Sequence, residues 1–251
     1  MSVKIEKRDG IAVLRMDKAR ANAIDETFVG DMTDAVGRVE EDGDVRGVLL
    51  ASAHPRVFCP GLDLVGLVEL DRAAMKAFMD RFELMVWALY GMSKPVVAAI
   101  GGHAVAGGCV LALTADYRVL KRGVNIGLNE VRVGVPLPWT VATLLRASVR
   151  PERLTEVALL GKNFADQEAL DAGLAQEIAE DAEARGLERM GEFLEKDSRS
   201  LARTKQYLRA HALADMKSHG AEHADEWLGS WFAESTRARI KEMVSALGKP
   251  K

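Results

Sequence analysis

The stretch from Pro95 to Leu120, PVVAAIGGHAVAGGCVLALTADYRVL, carries the pattern that decides the fold. Pro95 to Ile100 is a short run of branched and small apolar residues, read as a strand. Gly101-Gly102 and Gly107-Gly108 then make tight turns that bring backbone rather than side chains to a surface. The second pair opens an apolar helix from Cys109 to Ala115, and Tyr117 to Leu120 returns as a strand. Strand, glycine turn, helix and strand in so short a span point to an α/β fold.

The same alternation extends toward the N-terminus. Ile11 to Met16 and Gly47 to Ser52 read as strands, and between them Asp25 caps a helix with Phe28, Met32, Val36 and Val39 at helical spacing. A longer helical segment, Leu64 to Tyr90, repeats Leu67, Leu70, Met75, Phe78, Phe82, Met85 and Leu89, with Gly91 as its stop. Past the central stretch, Pro138 starts a helix to Ser148 and Pro151 one from Glu152 to Leu160. Ala165 to Ala172 is a helix ended by Gly173, before a short strand from Leu174 to Ile178.

From about Asp181 no strand pattern remains, and Gly186, Gly191, Gly220 and Gly248 punctuate charged helical stretches. The expected organisation is a core domain over 1–180 and a helical region over 181–251. In that region the run from Glu226 to Leu247 places Trp227, Trp231, Phe232, Ile240, Met243 and Leu247 on roughly one face, which suits docking on the chain's own core or on a second copy. Lys196, Arg199, Arg203, Lys205 and Arg209 recur at helical intervals; a solvated face is the default, a phosphate contact the alternative.

The 251 residues suffice for a sizeable core, and 48% hydrophobic with 28% charged residues is ordinary for a globular protein. A formal charge of −3 gives no global field for nucleic acid or an anionic membrane. The N-terminus has no apolar signal core and no apolar run nears the roughly 20 residues of a membrane span, so a cytoplasmic protein is expected. Cys59 and Cys109 sit in no metal or redox spacing and read as buried free thiols. His54 and His103 stand at unrelated spacings, and His103 alone makes no metal site.

Three segments carry candidate chemistry: Phe58-Cys59-Pro60-Gly61-Leu62-Asp63-Leu64, then Gly102 to Cys109, then Ile126-Gly127-Leu128-Asn129-Glu130. The first two are glycine turns that feed helices. A helix start leaves N–H groups unpaired and partly positive, so two such turns facing one point would make an oxyanion hole. Taken singly, each reads as no more than a turn. Glu130, among apolar residues, is either paired with a cation such as Arg132 or kept as a proton carrier with a raised pKa.

In this order and at these separations the three segments resemble the enoyl-CoA hydratase/isomerase (crotonase) superfamily, essentially end to end. The resemblance implies a right-handed spiral of β-β-α units followed by a C-terminal helical region that forms trimers. It implies an acyl-CoA substrate whose thioester oxygen is held by the backbone N–H groups of Leu62 and Gly107 while carbon 2 loses a proton. Pro60, Gly61, Leu62, Asp63 and Leu64 would line the thioester and pantetheine, with Asn129 as a substrate contact beside the base. Asp63 is equally readable as a helix cap and Asn129 as a turn amide. No metal or redox cofactor is implied, since CoA is part of the substrate. The implied partner is a second copy of this chain, as a homotrimer or a dimer of trimers.

Hydratases of the family carry acids at two positions, which together orient and activate a water. The second is Glu130 here, but the first aligns with Val110, and a valine can neither hold nor deprotonate water. One carboxylate is sufficient to take a proton from carbon 2 and return it at carbon 4. That pattern is similar to the 3,2-trans-enoyl-CoA isomerases, with the likeness strongest in Ala106 to Cys109, Leu111 to Arg118 and Gly127 to Glu130. An isomerase of fatty-acid β-oxidation is therefore expected. Hydration of an unusual enoyl-CoA and a catalytically idle acyl-CoA-binding scaffold stay open as alternatives.

Overall fold

The computed structural model describes residues 1–247; Gly248 lies outside them. The first half runs β1 (Val3–Arg8), β2 (Ile11–Met16), the single turn α1 (Ala19–Asn22), α2 (Glu26–Glu41), β3 (Gly47–Ser52), β4 (Val57–Cys59), α3 (Leu64–Leu67), α4 (Arg72–Gly91), β5 (Val96–Ile100), β6 (His103–Val105) and α5 (Gly107–Leu113). The second half runs β7 (Tyr117–Lys121), β8 (Asn125–Gly127), α6 (Glu130–Val133), α7 (Trp139–Ser148), α8 (Leu154–Leu159), β9 (Phe164–Ala165), α9 (Asp166–Ala172), β10 (Glu177–Ala179), α10 (Ala182–Leu194), α11 (Ser198–Trp231) and α12 (Glu234–Leu247).

Consecutive strands divide between two sheets. β3, β5 and β7 pair in parallel inside a six-stranded sheet ordered β1-β2-β3-β5-β7-β10. Their successors β4, β6 and β8 pair in parallel in a smaller sheet, closed by antiparallel β9. Helical segments follow each strand pair, so the chain advances as the right-handed spiral of β-β-α units that the family resemblance implies.

The central strands are apolar on both faces because both faces are covered. Val48, Leu50, Val96, Ala98 and Ile100 join the main core with Phe28 and Met32 of α2 and Phe78, Phe82 and Met85 of α4. Leu49, Ala51, Val97 and Ala99 lie on the other face, beneath Ala182 and Met190 of α10. A Cβ on Gly186 would come within 3.0 Å of Leu49 Cδ1, so this glycine lets α10 lie close to the sheet. Gly186 and Gly191 thus sit inside α10, and Gly220 inside α11, rather than marking breaks.

Other expectations shift for local reasons. β1 is an edge strand exposed along most of its length, so its sequence carries little apolar signal. The helix expected from Leu64 to Tyr90 is two, because the Asp71 carboxylate accepts from Ala74 N and starts α4 afresh. The run from Glu226 to Leu247 breaks at Phe232, and α12 folds back across α3 and α6. Trp227, Trp231 and Ile240 are buried against this chain's own core.

Lys205 and Arg209 are not on a solvated face: they are 7% and 9% exposed and converge on Asp116, each 2.7 Å from its carboxylate. Asp116 also accepts from Val96 N, so one carboxylate ties the starts of β5 and β7 to α11. Lys196, Arg199 and Arg203 remain exposed. No helix among the described residues is long and apolar enough to cross a membrane.

Candidate active site

β4, β6 and β8 are parallel neighbours, so their C-terminal ends share one edge of the small sheet. The three chemistry-bearing segments leave from that edge, which is how residues far apart in sequence meet.

The first turn is held from behind. Ile24 N donates to Gly61 O and Asp63 N to Ile24 O, both at 2.8 Å, which makes an isolated parallel bridge between Ile24 and Leu62. Those bonds use the peptide groups flanking Leu62, and strand alternation leaves its own N–H directed the other way. Gly107 is the first residue of α5, so its N–H has no intrahelical acceptor. The two turns touch: a Cβ on Gly61 would lie 3.2 Å from Gly107 N, and one on Gly107 would lie 3.3 Å from Gly61 Cα and 3.0 Å from Ile24 Cδ1. Gly61 adopts φ +99°, which suits glycine. Ala106 adopts φ +50° without being glycine, a strain of about 1–3 kcal/mol, at the residue that presents the Gly107 N–H. Its own N–H donates to Gly127 O at 2.8 Å, which fixes the turn to β8.

Glu130 opens α6, with Asn129 at the N-cap position making no side-chain capping bond. Glu130 Oε2 is buried without a hydrogen-bond partner, and Arg132 is not among the groups that shift its pKa. Burial lifts its pKa to about 7, against the opposing pull of the Glu130 and Asn129 backbone N–H groups.

Both features border a cavity of about 130 Å³. Pro60, Leu62, Leu64, Gly107, Asn129 and Glu130 line it together, and among the described lining residues Glu130 is the only ionisable one. Val110 lines it too, 1% exposed. Gly61 and Asp63 are not on the wall: Gly61 packs behind it, and the Asp63 carboxylate faces Arg20 Nη1 at 3.2 Å. Asp63 holds the N-cap position of α3 with no side-chain capping bond.

Sequence reasoning missed Ile24 as the brace of the first turn, and Trp227, Trp231 and Met243 as cavity wall. The aromatic spacing in α11 was visible, but nothing local says which surface it covers. Cys59 and Cys109 are buried free thiols, and burial pushes the Cys59 thiol up to about 12. A larger groove of about 880 Å³ runs between α10 and α11 around Asp116 and Lys196. It borders the start of β7, away from the three loops, and its half-buried Asp116 already pairs with the buried Lys205 and Arg209. Among the described residues no cluster of three or more His, Cys, Asp or Glu could hold a metal ion.

Residues 6–245 match the family described as Enoyl-CoA hydratase/isomerase. The human protein "Enoyl-CoA delta isomerase 1, mitochondrial" is 30% identical over 171 residues, covering 67% of this chain and 57% of that protein. The match therefore spans less than two thirds of that relative's length. "Short-chain-enoyl-CoA hydratase" of Clostridium acetobutylicum is 27% identical over 183 residues, covering 72% of this chain and 70% of that protein. The crystal structure of human mitochondrial delta3-delta2-enoyl-CoA isomerase superposes with a TM-score of 0.94 at 24% identity, over 98% of each chain, a likeness of fold.

Proposed function

The chain belongs to the enoyl-CoA hydratase/isomerase family, and from that premise we propose that it moves the double bond of a 3-enoyl-CoA to the 2-trans position. The observation that carries this reading is the single ionisable side chain on the cavity wall, Glu130, with Val110 and other apolar residues around it. Glu130 as carboxylate takes a proton from carbon 2, and the electron pair moves through the thioester carbonyl to give a dienolate. The N–H groups of Leu62 and Gly107 stabilise the resulting oxyanion, a contribution of about 10²–10³ in rate for each such donor. Glu130, now neutral, returns its proton at carbon 4. A pKa near 7 suits one group to both halves, since neither protonation state is strongly favoured at neutral pH. Such a transfer needs no metal or redox group.

Hydration stands as the second reading because a named hydratase is among the similar proteins. It requires a second group to hold and polarise water, and the lining residues supply only the Asn129 amide beside Glu130. A place in fatty-acid β-oxidation and assembly as a homotrimer or dimer of trimers are part of the proposal; Tyr207 and Leu208 of α11 and Leu159 and Leu160 at the end of α8 are exposed apolar groups that support self-association.

A spectroscopic assay of 3-enoyl-CoAs of graded length, beside 2-enoyl-CoAs as hydration substrates, tests the choice. The expected product is the 2-trans-enoyl-CoA; a solvent-derived 3-hydroxyacyl-CoA as the main product overturns it.

A further inference from the structure

The turn that carries Leu62 is gripped by one residue, Asn22, at the end of α1. Arg20, Ala21 and Asn22 take φ of +57°, +55° and +69°, consecutive residues in the left-handed region and none of them glycine. Such backbone persists only where its surroundings hold it, and it gathers at functional sites. What holds it here is the fully buried Asn22 amide. Its Oδ1 accepts from Lys18 N at 2.9 Å, and its Nδ2 donates to Ser52 Oγ and to Phe58 O, each at 2.9 Å. A peptide N–H on one side and a carbonyl on the other fix which way the amide points. The Asn22 carbonyl in turn accepts from Cys59 Sγ at 3.2 Å.

These bonds run along the strand that feeds the oxyanion turn. Asn22 takes Phe58 and Cys59 at the end of β4, and Ile24 takes Gly61 and Asp63 on either side of Leu62. The stretch from Phe58 to Leu62 is therefore held at both ends by one short segment, Asn22 to Ile24. Ser52 ties that segment to the end of β3, since its Oγ also donates to Val57 O at 2.7 Å. Gly107, the other donor, stands outside this network, because its turn is fixed through Ala106 to β8. Asparagine suits position 22 on two counts: it supplies the donors that aspartate lacks, and it tolerates a left-handed φ. Asn22 is not on the cavity wall.

We propose that Asn22 is the positioning residue of the Leu62 half of the oxyanion hole: its amide sets where the Leu62 N–H meets the thioester oxygen, without touching substrate. The proposal rests on the reading of Leu62 and Gly107 as the thioester donors. A displaced donor loses more in the transition state than in the ground state, because charge on the oxygen grows between them. Loss of the Asn22 amide therefore lowers kcat and leaves ground-state binding nearly as it was.

Asn22→Gly is the test, since glycine accepts the left-handed backbone and removes only the amide. The folded variant is read for kcat on 3-hexenoyl-CoA, for the dissociation constant of hexanoyl-CoA, and for the thioester carbonyl stretch of bound hexanoyl-CoA by isotope-edited infrared spectroscopy. Hydrogen bonds to a carbonyl oxygen lower that frequency. The expected result is a kcat about 10²-fold lower, a dissociation constant close to that of the intact protein, and a carbonyl band moved to higher frequency. Retained kcat or an unmoved band overturns the proposal, and a lower melting temperature beside them marks a purely structural role. A loss of affinity as large as the loss of kcat, the mark of a collapsed site, overturns it as well. Should Asn22→Gly not fold, Ser52→Ala takes its place with the same pattern at smaller size expected, and an unmoved kcat and band there overturn the proposal. If the intact protein binds hexanoyl-CoA with the carbonyl band where it lies in water, the donor reading fails and this proposal with it. If the band is lowered but 3-hexenoyl-CoA is not isomerised, the isomerase reading alone fails, and the band in Asn22→Gly still decides on Asn22.

Discussion

Val110 of α5 and Glu130 of α6 line the same small cavity, one apolar and one acidic. Glu130 is perturbed by burial, with no second carboxylate among the causes of its shift. Val110→Glu would put a like charge into that space and raise the Glu130 pKa further. The base form is the one that takes the carbon 2 proton, so the rising limb of kcat/KM should lie near pH 7 in the intact protein. In Val110→Glu it should move up by about one unit or more, with about tenfold less isomerisation at pH 7. The pH profile of 3-enoyl-CoA isomerisation reads this directly; an unmoved limb means that Glu130 is not the titrating base.

Gly107 and Gly108 are adjacent in sequence but predict different failures. A Cβ on Gly107 meets Ile24 Cδ1, the end of a flexible side chain, and Gly61 Cα at 3.3 Å. Gly107→Ala should fold, shift its N–H away from the thioester oxygen and lower kcat by about 10²–10³. A Cβ on Gly108 would lie 2.0 Å from the Cys59 carbonyl oxygen, which is backbone in β4. Gly108→Ala should cost about 3 kcal/mol or more of stability. Urea unfolding beside steady-state kinetics separates the two.

How much of this the sequence carried depends on how local each signal is. The run around Gly107 and Gly108 was legible because strand, turn and helix each obey a short-range rule, and Val110 against Glu130 needed only residue types once the family pattern was seen. β6 and β8 were not legible: at three residues each, their identity comes from pairing with β4 and with one another. Lys205 and Arg209 looked solvated because their partner, Asp116, is remote in sequence. The Trp227 and Trp231 wall was hidden likewise, since the break at Phe232 and the return of α12 are set by packing.

That remote pairing gives a stability prediction. Asp116→Asn leaves Lys205 and Arg209 buried without a countercharge, and breaking such a pair costs about 3–5 kcal/mol. Chemical denaturation should show the loss. A change of under about 1 kcal/mol, the size of a surface pair, would mean that the cluster is solvated in solution.

Glu83 of α4 packs where Gly220 of α11 lacks a Cβ, its Oε2 2.8 Å from that position, and burial lifts its pKa from 4.5 to about 7. Between those values the native state holds a proton that the unfolded state has released. This contribution is therefore complete below about pH 4.5 and lost as pH rises through about 7. Glu83→Gln removes the loss. Its advantage over the intact protein should grow from pH 5 to pH 8 by roughly 2 kcal/mol, allowing for partial exposure. Thermal melts at the two pH values check the sign, and a larger gain at pH 5 would reverse it.

The central claim is that one carboxylate carries the proton. Glu130→Gln keeps the shape of the side chain and removes its basicity. Its kcat for 3-enoyl-CoA isomerisation should fall by about 10²–10⁴, while its dissociation constant for a saturated acyl-CoA stays close to that of the intact protein. Isomerisation retained at the intact protein's rate by a folded Glu130→Gln would contradict the claim outright.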